Sequence, residues 1–314
     1  MPYHIFGPVP SRRLGRSLGV DLIPYKTCSF DCVYCELGPT TCHTKERQSY
    51  KDMDAICSEL QERLENLKGE LDYITLAGSG EPTLNSDLGL IIEKIKSMTD
   101  CPLAILTNSS LLFDPLVRSE LKPLDLIVPS LDAVSSKAFQ RINQPVKGID
   151  IKMIIDGLIR LRKEFKGNIW LEVLVCSGIN DNDSELDLIK KAAERIRPDR
   201  VQINTVFRPP SIEGIAPVSK ERLEEIEAFM GPMAQAVGRV AGKKGQLSGS
   251  RSVRTRIHML LKRRPCTLQD ISEALCIPRL EVIKILDQMI DIGEICRIGH
   301  QNMYYYKANV SEQE

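Results

Sequence analysis

Residues 17–35, SLGVDLIPYKTCSFDCVYC, join an apolar run to three closely spaced cysteines. The first eight of these residues predict a buried strand, because they are mostly apolar and include β-branched side chains. Cys28, Cys32 and Cys35 follow with the spacing C-x3-C-x2-C, in the loop after that strand. Sheets of parallel strands bind their ligands at the carboxyl ends of the strands. The stretch therefore predicts the start of an α/β fold and the place of its chemistry.

Similar strand-like runs continue along the chain, with helical patterns between them. In MDAICSELQERLENLKG (53–69) the apolar residues recur every three or four positions, which is one face of a helix. Residues 185–197 and 220–237 show the same pattern. Six strands that alternate with helices predict a parallel sheet with right-handed crossovers, either open or curved into a partial barrel. The later strand runs are 71–78, 102–108, 124–132, 168–176 and 199–206.

The pattern changes after residue 237. GRVAGKKGQLSGSR (238–251) is rich in Gly and Ser, which predicts a linker. Beyond it, helical patterns at 253–264, 267–275 and 279–293 precede two short strands, in the order of a winged helix. We therefore expect an α/β protein with a partial (β/α)6 barrel of parallel strands at 1–237, a linker at 238–251 and a C-terminal winged-helix domain at 252–314.

The charge and composition of the chain exclude several classes of function. Lys plus Arg and Asp plus Glu each total 42, so the net charge is zero. This balance excludes binding to nucleic acid or membrane by bulk charge alone. Neither a membrane span nor a secretory signal is evident, so we expect a cytoplasmic protein with no membrane partner. The ten cysteines are then expected to be metal ligands or reactive groups in part, not a set of disulfides.

The cysteine triplet predicts a metal centre. Three thiolates within eight residues can serve one centre only if it is soft toward sulfur, which means zinc or an iron–sulfur cluster. A 4Fe–4S cluster ordinarily takes four thiolates, so three leave one iron open, as a catalytic site requires. A structural zinc site with Cys42 or His43 as its fourth ligand, and unligated thiols, remain alternatives on spacing alone.

Two motifs carry a resemblance to a known family. The C-x3-C-x2-C spacing with an aromatic residue, Tyr34, before the third cysteine resembles the signature of the radical S-adenosylmethionine (radical SAM) superfamily. GSGEPTL (78–84) resembles the Gly-Gly-Glu motif of that family, although Ser79 departs from the second glycine. The family's usual core, a six-unit half-open barrel, would cover about residues 15–235. Residues 6–35 are similar to a branch grouped with wyosine-synthase-related Fe–S oxidoreductases.

The resemblance implies both cofactors and a reaction. Cys28, Cys32 and Cys35 would hold a 4Fe–4S cluster whose open iron takes the amino and carboxylate groups of S-adenosyl-L-methionine. Reductive cleavage would then give a 5′-deoxyadenosyl radical that abstracts hydrogen from a substrate, such as a tRNA base, a peptide or a metabolite. The electron would come from a reductant protein such as ferredoxin or flavodoxin.

The resemblance also implies contacts for S-adenosylmethionine. The backbone at Tyr34 would lie near the adenine, and Glu81 would support the glycine-rich loop. The backbone carbonyls of that loop would accept the methionine ammonium, since small residues allow close approach. An ordinary turn is the alternative for this sequence. The carbonyls belong to Gly78, Ser79 and Gly80.

Polar residues end two further strands and resemble contacts to the methionine carboxylate and the ribose. Thr107 and Asn108 end the third predicted strand, and Ser130 and Asp132 end the fourth. The alternative for Asp132 is a cap for the helix that begins near Ser135. After the third strand, the alternative is a turn that starts at Asn108 or Ser109.

Several other residues have two interpretations. Arg12, Arg13 and Arg16, and also Arg208, could clamp an anionic substrate or form ordinary ion pairs. Cys176 ends the fifth predicted strand and could face the substrate.

The C-terminal unit allows a second class of function. Residues 251–314 contain ten Lys or Arg and eight Asp or Glu, a net charge of +2, and the tyrosines of 304–306 could stack on bases. An RNA or protein substrate presented by the winged helix is one expectation, and docking on the barrel is another. The alternative function is an iron–sulfur redox-sensing DNA-binding regulator, in which the winged helix would read DNA.

Overall fold

The computed structural model of this chain describes residues 4–11, 13–67, 70–237, 252–275 and 277–309. The predicted linker at 238–251 lies outside these residues, as do Arg12 and Cys276. Among the described residues, every helix is too short or too polar to cross a bilayer.

The barrel is built on one eight-stranded sheet with the spatial order β1-β2-β5-β6-β7-β8-β9-β10. Only the edge strand β1 is antiparallel to its neighbour, so the carboxyl ends of the other seven strands lie at one edge. The strands are β1 (Ile5–Ser11), β2 (Gly15–Val20), β3 (Thr27–Cys28), β4 (Cys42–His43), β5 (Tyr73–Leu76), β6 (Leu103–Thr107), β7 (Leu126–Pro129), β8 (Asn168–Val175), β9 (Arg200–Thr205) and β10 (Ala234–Ala236).

Seven helices connect these strands and bury apolar faces in a common core. In the fifth, for example, Ile154, Leu158 and Leu161 are buried at the three- and four-residue spacing of one helix face. Side-chain caps define where most of the helices begin. The helices are α1 (Met53–Glu65), α2 (Leu88–Met98), α3 (Pro115–Glu120), α4 (Ser136–Ile142), α5 (Ile151–Glu164), α6 (Asp183–Ile196) and α7 (Lys220–Met230).

The α/β class with a mostly parallel sheet is confirmed, with two differences at its ends. All six predicted runs contain strands, which are shorter than the runs at most ends. The predicted helix at 220–237 is wrong beyond Met230, because Gly231 takes φ 93° and ends the helix, and Ala234–Ala236 then pairs with β9. Strand β1 was not predicted, since its prolines, Pro8 and Pro10, disturb the strand pattern.

The C-terminal unit contains three helices and a hairpin. These are α8 (Val253–Arg263), α9 (Leu268–Leu275) and α10 (Arg279–Asp291), followed by antiparallel β11 (Ile295–His300) and β12 (Met303–Ala308). They enclose a separate small apolar core that includes Ile257, Leu286 and Met289.

The C-terminal unit packs on the barrel at the edge where the chemistry is expected. Tyr305 donates a hydrogen bond to the carbonyl of Phe207 (2.9 Å), just after β9 ends. Gln301, at the hairpin tip, donates to the carbonyl of Val206 (2.8 Å). On the other side, the Arg263 guanidinium lies 4.5 Å from the ring centroid of Phe6 in β1. The unit therefore spans the carboxyl edge of the sheet.

Candidate active site

The three cysteines lie together in the loop after β2, at the carboxyl edge of the sheet. Burial is the main cause that raises the pKa of Cys28 to about 12, and the negative charges of Glu81 and Cys35 add to it. Burial likewise raises the pKa of Cys32, with Asp132 and the other two cysteines as further causes. The Cys35 backbone N–H donates to the Cys32 carbonyl (3.0 Å), so the loop turns back on itself between these two cysteines. A bound metal centre would favour their thiolate forms.

Each thiol has a side-chain nitrogen beside it. A donor at this position stabilises a thiolate, and hydrogen bonds to sulfur also set the potential of an iron–sulfur cluster. One of the three donors is a lysine ammonium and the other two are neutral amides. The pairs are Lys26 Nζ with Cys35 Sγ (3.1 Å), Asn143 Nδ2 with Cys32 Sγ (3.4 Å) and Asn108 Nδ2 with Cys28 Sγ (3.5 Å).

The donor set suits a cubane cluster. Three thiols on one loop, each with an N–H partner, supply the soft ligands that iron–sulfur clusters use. In a cubane each thiolate binds a different iron, so the sulfurs need not converge on one atom. Within the described part of the chain, no three His, Cys, Asp or Glu side chains are arranged to hold a single metal ion. Cys42 and His43 are exposed, and the His43 ring pairs with the Ser29 carbonyl (3.1 Å).

The glycine-rich loop after β5 is anchored by Asp21. The Asp21 carboxylate accepts from Ser79 N (3.1 Å) and from Ser79 Oγ (2.5 Å). A side chain at Gly78 would meet it, since an added Cβ would lie 2.6 Å from Asp21 Cγ. The Ser79 carbonyl accepts from the backbone N–H of Lys26 (2.7 Å). This loop is therefore fixed to the cysteine loop and leaves no room for a larger residue at Gly78.

Glu81 connects the glycine-rich loop to the end of β6. Its carboxylate accepts from Thr107 Oγ1 (2.7 Å) and from the backbone N–H of Asn108 (2.7 Å). It also caps the short 3-10 helix Pro82–Leu84 through Thr83 N (3.1 Å). Burial raises its pKa, and these hydrogen bonds oppose that effect. The structure thus brings three predicted site residues into one network.

Asp132 does not cap a helix, but forms hydrogen bonds with residues near the cysteines. Its carboxylate accepts from Tyr34 Oη (2.5 Å), from Asn143 Nδ2 (2.7 Å) and from Leu174 N (2.9 Å). Burial raises its pKa to about 6. The capping alternative for Asp132 is wrong, because Ser135 caps α4. Asp132 instead connects the cysteine loop to β8.

A cavity of about 330 Å³ lies beside the cysteine loop. The barrel contributes Tyr34, Gly78, Ser130 and Asp132 to its wall. Five other predicted contact residues are not part of the wall. These are Ser79, Gly80, Glu81, Thr107 and Asn108.

The C-terminal unit contributes to the same cavity. Arg263 and Arg264, at the end of α8, line it opposite the barrel residues. Arg263 also lies 3.6 Å from the Asp21 carboxylate, which holds the glycine-rich loop. The end of α8 therefore reaches the predicted cofactor site directly.

The predicted arginine clamp takes the form of ion pairs. Arg13 pairs with Glu172, and Arg208 pairs with Glu36 of the cysteine loop (2.9 Å). Arg16 donates to the Glu70 carbonyl and is not part of the cavity wall.

Cys176 does not face the cavity. It is fully buried in the main core, and it is not among the residues that line the cavity.

Three important residues were not singled out from the sequence, and a fourth was expected to act elsewhere. Asp21 gives a signal, because it is a lone charged residue in an apolar run. Lys26, two positions before the first cysteine, gives a weaker one. Asn143 gives none, since it comes from a distant part of the chain and reaches the site only through folding. Arg263 belongs to a cluster of basic residues in the C-terminal unit, which indicated contact with RNA or DNA and not a place at this site.

The family follows from comparison with known proteins. The family model described as the radical SAM superfamily matches residues 22–204. That match contains all three cysteines, the strands β5 to β8 and all but the last residue of β9. The chain belongs to the radical SAM superfamily. Members of this family bind a 4Fe–4S cluster and S-adenosylmethionine, and this chain is a radical SAM enzyme.

Two relatives match nearly the whole chain. It is 31% identical to the UPF0026 protein of Methanocaldococcus jannaschii, over 98% of this chain and 97% of that protein. It is 40% identical to a protein named GTPase Obg from Brachyspira hyodysenteriae, also over 98% of this chain. The chain spans only 45% of the length of that second relative.

A solved structure shares the fold. The crystal structure of a radical SAM methyltransferase from Sphaerobacter thermophilus superposes with a TM-score of 0.56 and 16% identity. The match covers 70% of this chain and 65% of that one. The comparisons do not support the alternative of a redox-sensing DNA-binding regulator.

Proposed function

We propose that this enzyme cleaves S-adenosylmethionine reductively and uses the 5′-deoxyadenosyl radical to abstract hydrogen from a substrate in the 330 Å³ cavity. The observation that carries the proposal is the cysteine loop itself. Its three thiols each have an N–H donor, and Cys35 lines a cavity walled by the carboxyl ends of parallel strands. The cluster on Cys28, Cys32 and Cys35 would supply the electron that breaks the sulfur–carbon bond.

The chain's own residues would prepare this site in two ways. Lys26 would offset the negative charge of the ligand set through Cys35, which favours reduction of the centre. Glu81 directly follows the glycine-rich loop and would hold this part of the chain against the end of β6. Its carboxylate accepts from Thr83 N on one side and from Thr107 Oγ1 on the other. Preorganised polar groups of this kind need no rearrangement when the cofactor binds.

Contacts to S-adenosylmethionine follow from the position of each residue. The Gly78 carbonyl would accept the methionine ammonium together with those of Ser79 and Gly80, and Gly78 lines the cavity. Ser130 and Asp132, which also line it, would contact the methionine carboxylate or ribose.

The remaining predicted contacts would act less directly. Tyr34 lines the cavity and would place its backbone near the adenine. Thr107 and Asn108 would act through Glu81, to which both donate.

We also propose that the C-terminal unit is a winged helix that presents the substrate, whether RNA or protein, to the barrel. Its support is the contact of the hairpin with the end of β9. A reductant protein such as ferredoxin or flavodoxin would supply the electron.

The decisive test is anaerobic reconstitution with iron and sulfide, followed by dithionite and S-adenosylmethionine. The parent protein should form 5′-deoxyadenosine, and Cys32→Ala should not. Cys101→Ala is the matched control, because Cys101 lies at the opposite, amino end of β6, and it should retain product formation. Normal product in Cys32→Ala would overturn the assignment.

A further inference from the structure

A second cavity, of about 620 Å³, lies between the C-terminal unit and the barrel. Its volume falls in the range of about 300–1,000 Å³ that is typical of small-molecule sites. Phe207, Arg208 and Arg264 line both cavities, so the two are adjacent. A molecule held in the second cavity would therefore contact residues that also line the first.

The second cavity carries uncommitted positive charge. Arg264 and Arg279 both line it, and neither forms an ion pair with a carboxylate in the described part of the chain. Arg208, the third arginine of the wall, is already paired with Glu36. A guanidinium without a carboxylate partner is suited to a phosphate or carboxylate of a ligand.

Two carboxylates, Asp270 and Glu273, also line the wall, and each accepts a hydrogen bond at α9. Asp270 accepts from the backbone N–H of Thr267 (3.0 Å) at the start of α9. Glu273 accepts from the Gln269 amide (2.7 Å), one turn earlier. Asp270 also acts on Arg208, and among the described residues neither carboxylate forms a salt bridge with Arg264 or Arg279.

An aromatic surface lies beside these arginines. Tyr304, Tyr305 and Tyr306 of β12 and Phe207 of the barrel all line the cavity. Tyr304 is 63% exposed, and the Arg297 guanidinium stacks on its ring at 4.5 Å. Aromatic rings of this kind, with arginine beside them, bind nucleobases by stacking.

The orientation of the unit favours a single nucleotide over a duplex. In a helix-turn-helix the second helix reads the major groove with its N-terminal residues. Here that helix is α10, and its first residue, Arg279, lines the cavity against the barrel. A cavity of about 620 Å³ admits a nucleotide but not a double helix.

We infer that the second cavity binds a nucleotide unit of the substrate, with its phosphate at Arg264 and Arg279 and its base on Tyr304. The nucleotide is either free or part of a single-stranded RNA. This inference rests on the proposed function for the chemistry that follows binding. It gives the C-terminal unit the role of a substrate site.

The test is a binding titration of the full, anaerobically reconstituted chain in saturating S-adenosylmethionine, so that the adenosyl site is filled. The probes are the four nucleoside 5′-monophosphates, the four nucleosides, a single-stranded RNA hexamer pool and an acidic hexapeptide. At least one monophosphate, or the RNA pool, should bind more tightly than the nucleosides. Arg264→Met should weaken that binding roughly 10- to 100-fold, the loss expected for a charge-assisted hydrogen bond.

Two further variants sharpen the result. Arg264→Lys should recover part of the affinity, and Tyr304→Ala should weaken nucleosides and monophosphates alike. Arg160→Met, an exposed arginine of α5, is the control and should bind as the parent does.

The outcomes separate the sources of the ligand. Tight binding of a monophosphate indicates a free nucleotide, and binding of the RNA pool alone indicates an RNA substrate. No nucleotide binding, or Arg264-dependent binding of the acidic peptide alone, overturns the inference. 5′-Deoxyadenosine formation is measured on the same samples, so the proposed function can stand when this inference fails.

Discussion

On the cysteine side of the cavity, the buried carboxylates of Asp21, Glu81 and Asp132 each accept at least three hydrogen bonds from protein groups. On the side of the C-terminal unit, Arg264 and Arg279 have no carboxylate partner among the described residues. These three carboxylates have their hydrogen bonds satisfied before any ligand binds. In the second region, the positive charge of the two arginines can interact with a bound anion.

This difference separates two tasks. A network whose members are satisfied within the protein is rigid, so it can hold a cofactor in one geometry for every turnover. Guanidinium groups in a cavity that lack a carboxylate partner favour the reversible binding of an anionic ligand. The cofactor region is therefore fixed by the fold, and the substrate region is completed by what binds there.

The largest effect should come from breaking the network at Asp21. Asp21 is 2% exposed and lies 3.6 Å from both Lys51 and Arg263. Asp21→Ala leaves these two cations without their shared anion, and removing one partner of a buried pair costs about 3–5 kcal/mol. We expect a lower unfolding midpoint in urea and weaker binding of S-adenosylmethionine.

The control for this variant is Asp54→Ala, at an exposed position of α1. Its effect should stay within about 0.5 kcal/mol, as for other surface substitutions. Equal stability of the two variants would show that the cofactor region does not depend on Asp21.

The burial of Asp132, in the region around the cysteines, should make the stability of the protein depend on pH. Burial raises its pKa from 3.8 to about 6 in the folded chain, so the folded state keeps a proton that the unfolded state has lost. The resulting stability is fully present below about pH 3.8 and is lost as the pH rises through about 6. Relative to Asp132→Asn, the parent should lose about 2 kcal/mol between pH 4 and pH 7.

Thermal unfolding of the cluster-free protein across this pH interval measures the effect. Asp52→Asn, which changes the exposed cap of α1, is the control and should show no such difference from the parent. A parent and Asp132→Asn that follow parallel curves would contradict the buried carboxyl described above.

Lys26 should affect the cluster more than the fold. Its ammonium is the only charged donor among the three described side chains that contact the cysteine sulfurs. Lys26→Met removes a positive charge that favours the reduced cluster, so the reduction potential should fall by roughly 60 mV, a tenfold change for one electron.

A redox titration followed by electron paramagnetic resonance measures that potential. Lys152→Met, at an exposed site on α5, is the control and should leave it unchanged. An unchanged potential in Lys26→Met would mean that the ammonium does not interact with the cluster.

How far the sequence predicts the molecule also differs between its parts. The strands and the cysteine loop were predictable, because apolar runs and the C-x3-C-x2-C spacing are local patterns. The last strand of the eight-stranded sheet, β10, was not, since Gly231 ends α7 inside a sequence pattern that is otherwise helical. Outside the cysteine loop, the residues predicted for the site were those that follow the end of a predicted strand.

Contacts across long sequence separations explain most of the rest. Asn143 lies 111 positions from Cys32, and no pattern in either segment links them. Asp132 was expected at the site, but its bonds to Tyr34 and Leu174 depend on how β7, β8 and the cysteine loop pack. The place of the C-terminal unit over the cavity likewise depends on tertiary packing with β1 and β9.

The smallest effect should come from loosening the C-terminal unit. Tyr305→Phe removes only the hydroxyl that donates to the Phe207 carbonyl, so the ring keeps its packing. A single hydrogen bond contributes about 1 kcal/mol, and its loss should increase opening of the unit about fivefold. Hydrogen exchange of the β12 amides should rise accordingly, while that of β5 should not.

Tyr50→Phe, on a partly buried tyrosine outside the interface, is the control. Faster exchange in β5 as well would mean that the barrel and the C-terminal unit open together, and the distinction between a fixed cofactor region and an adjustable substrate region would fail.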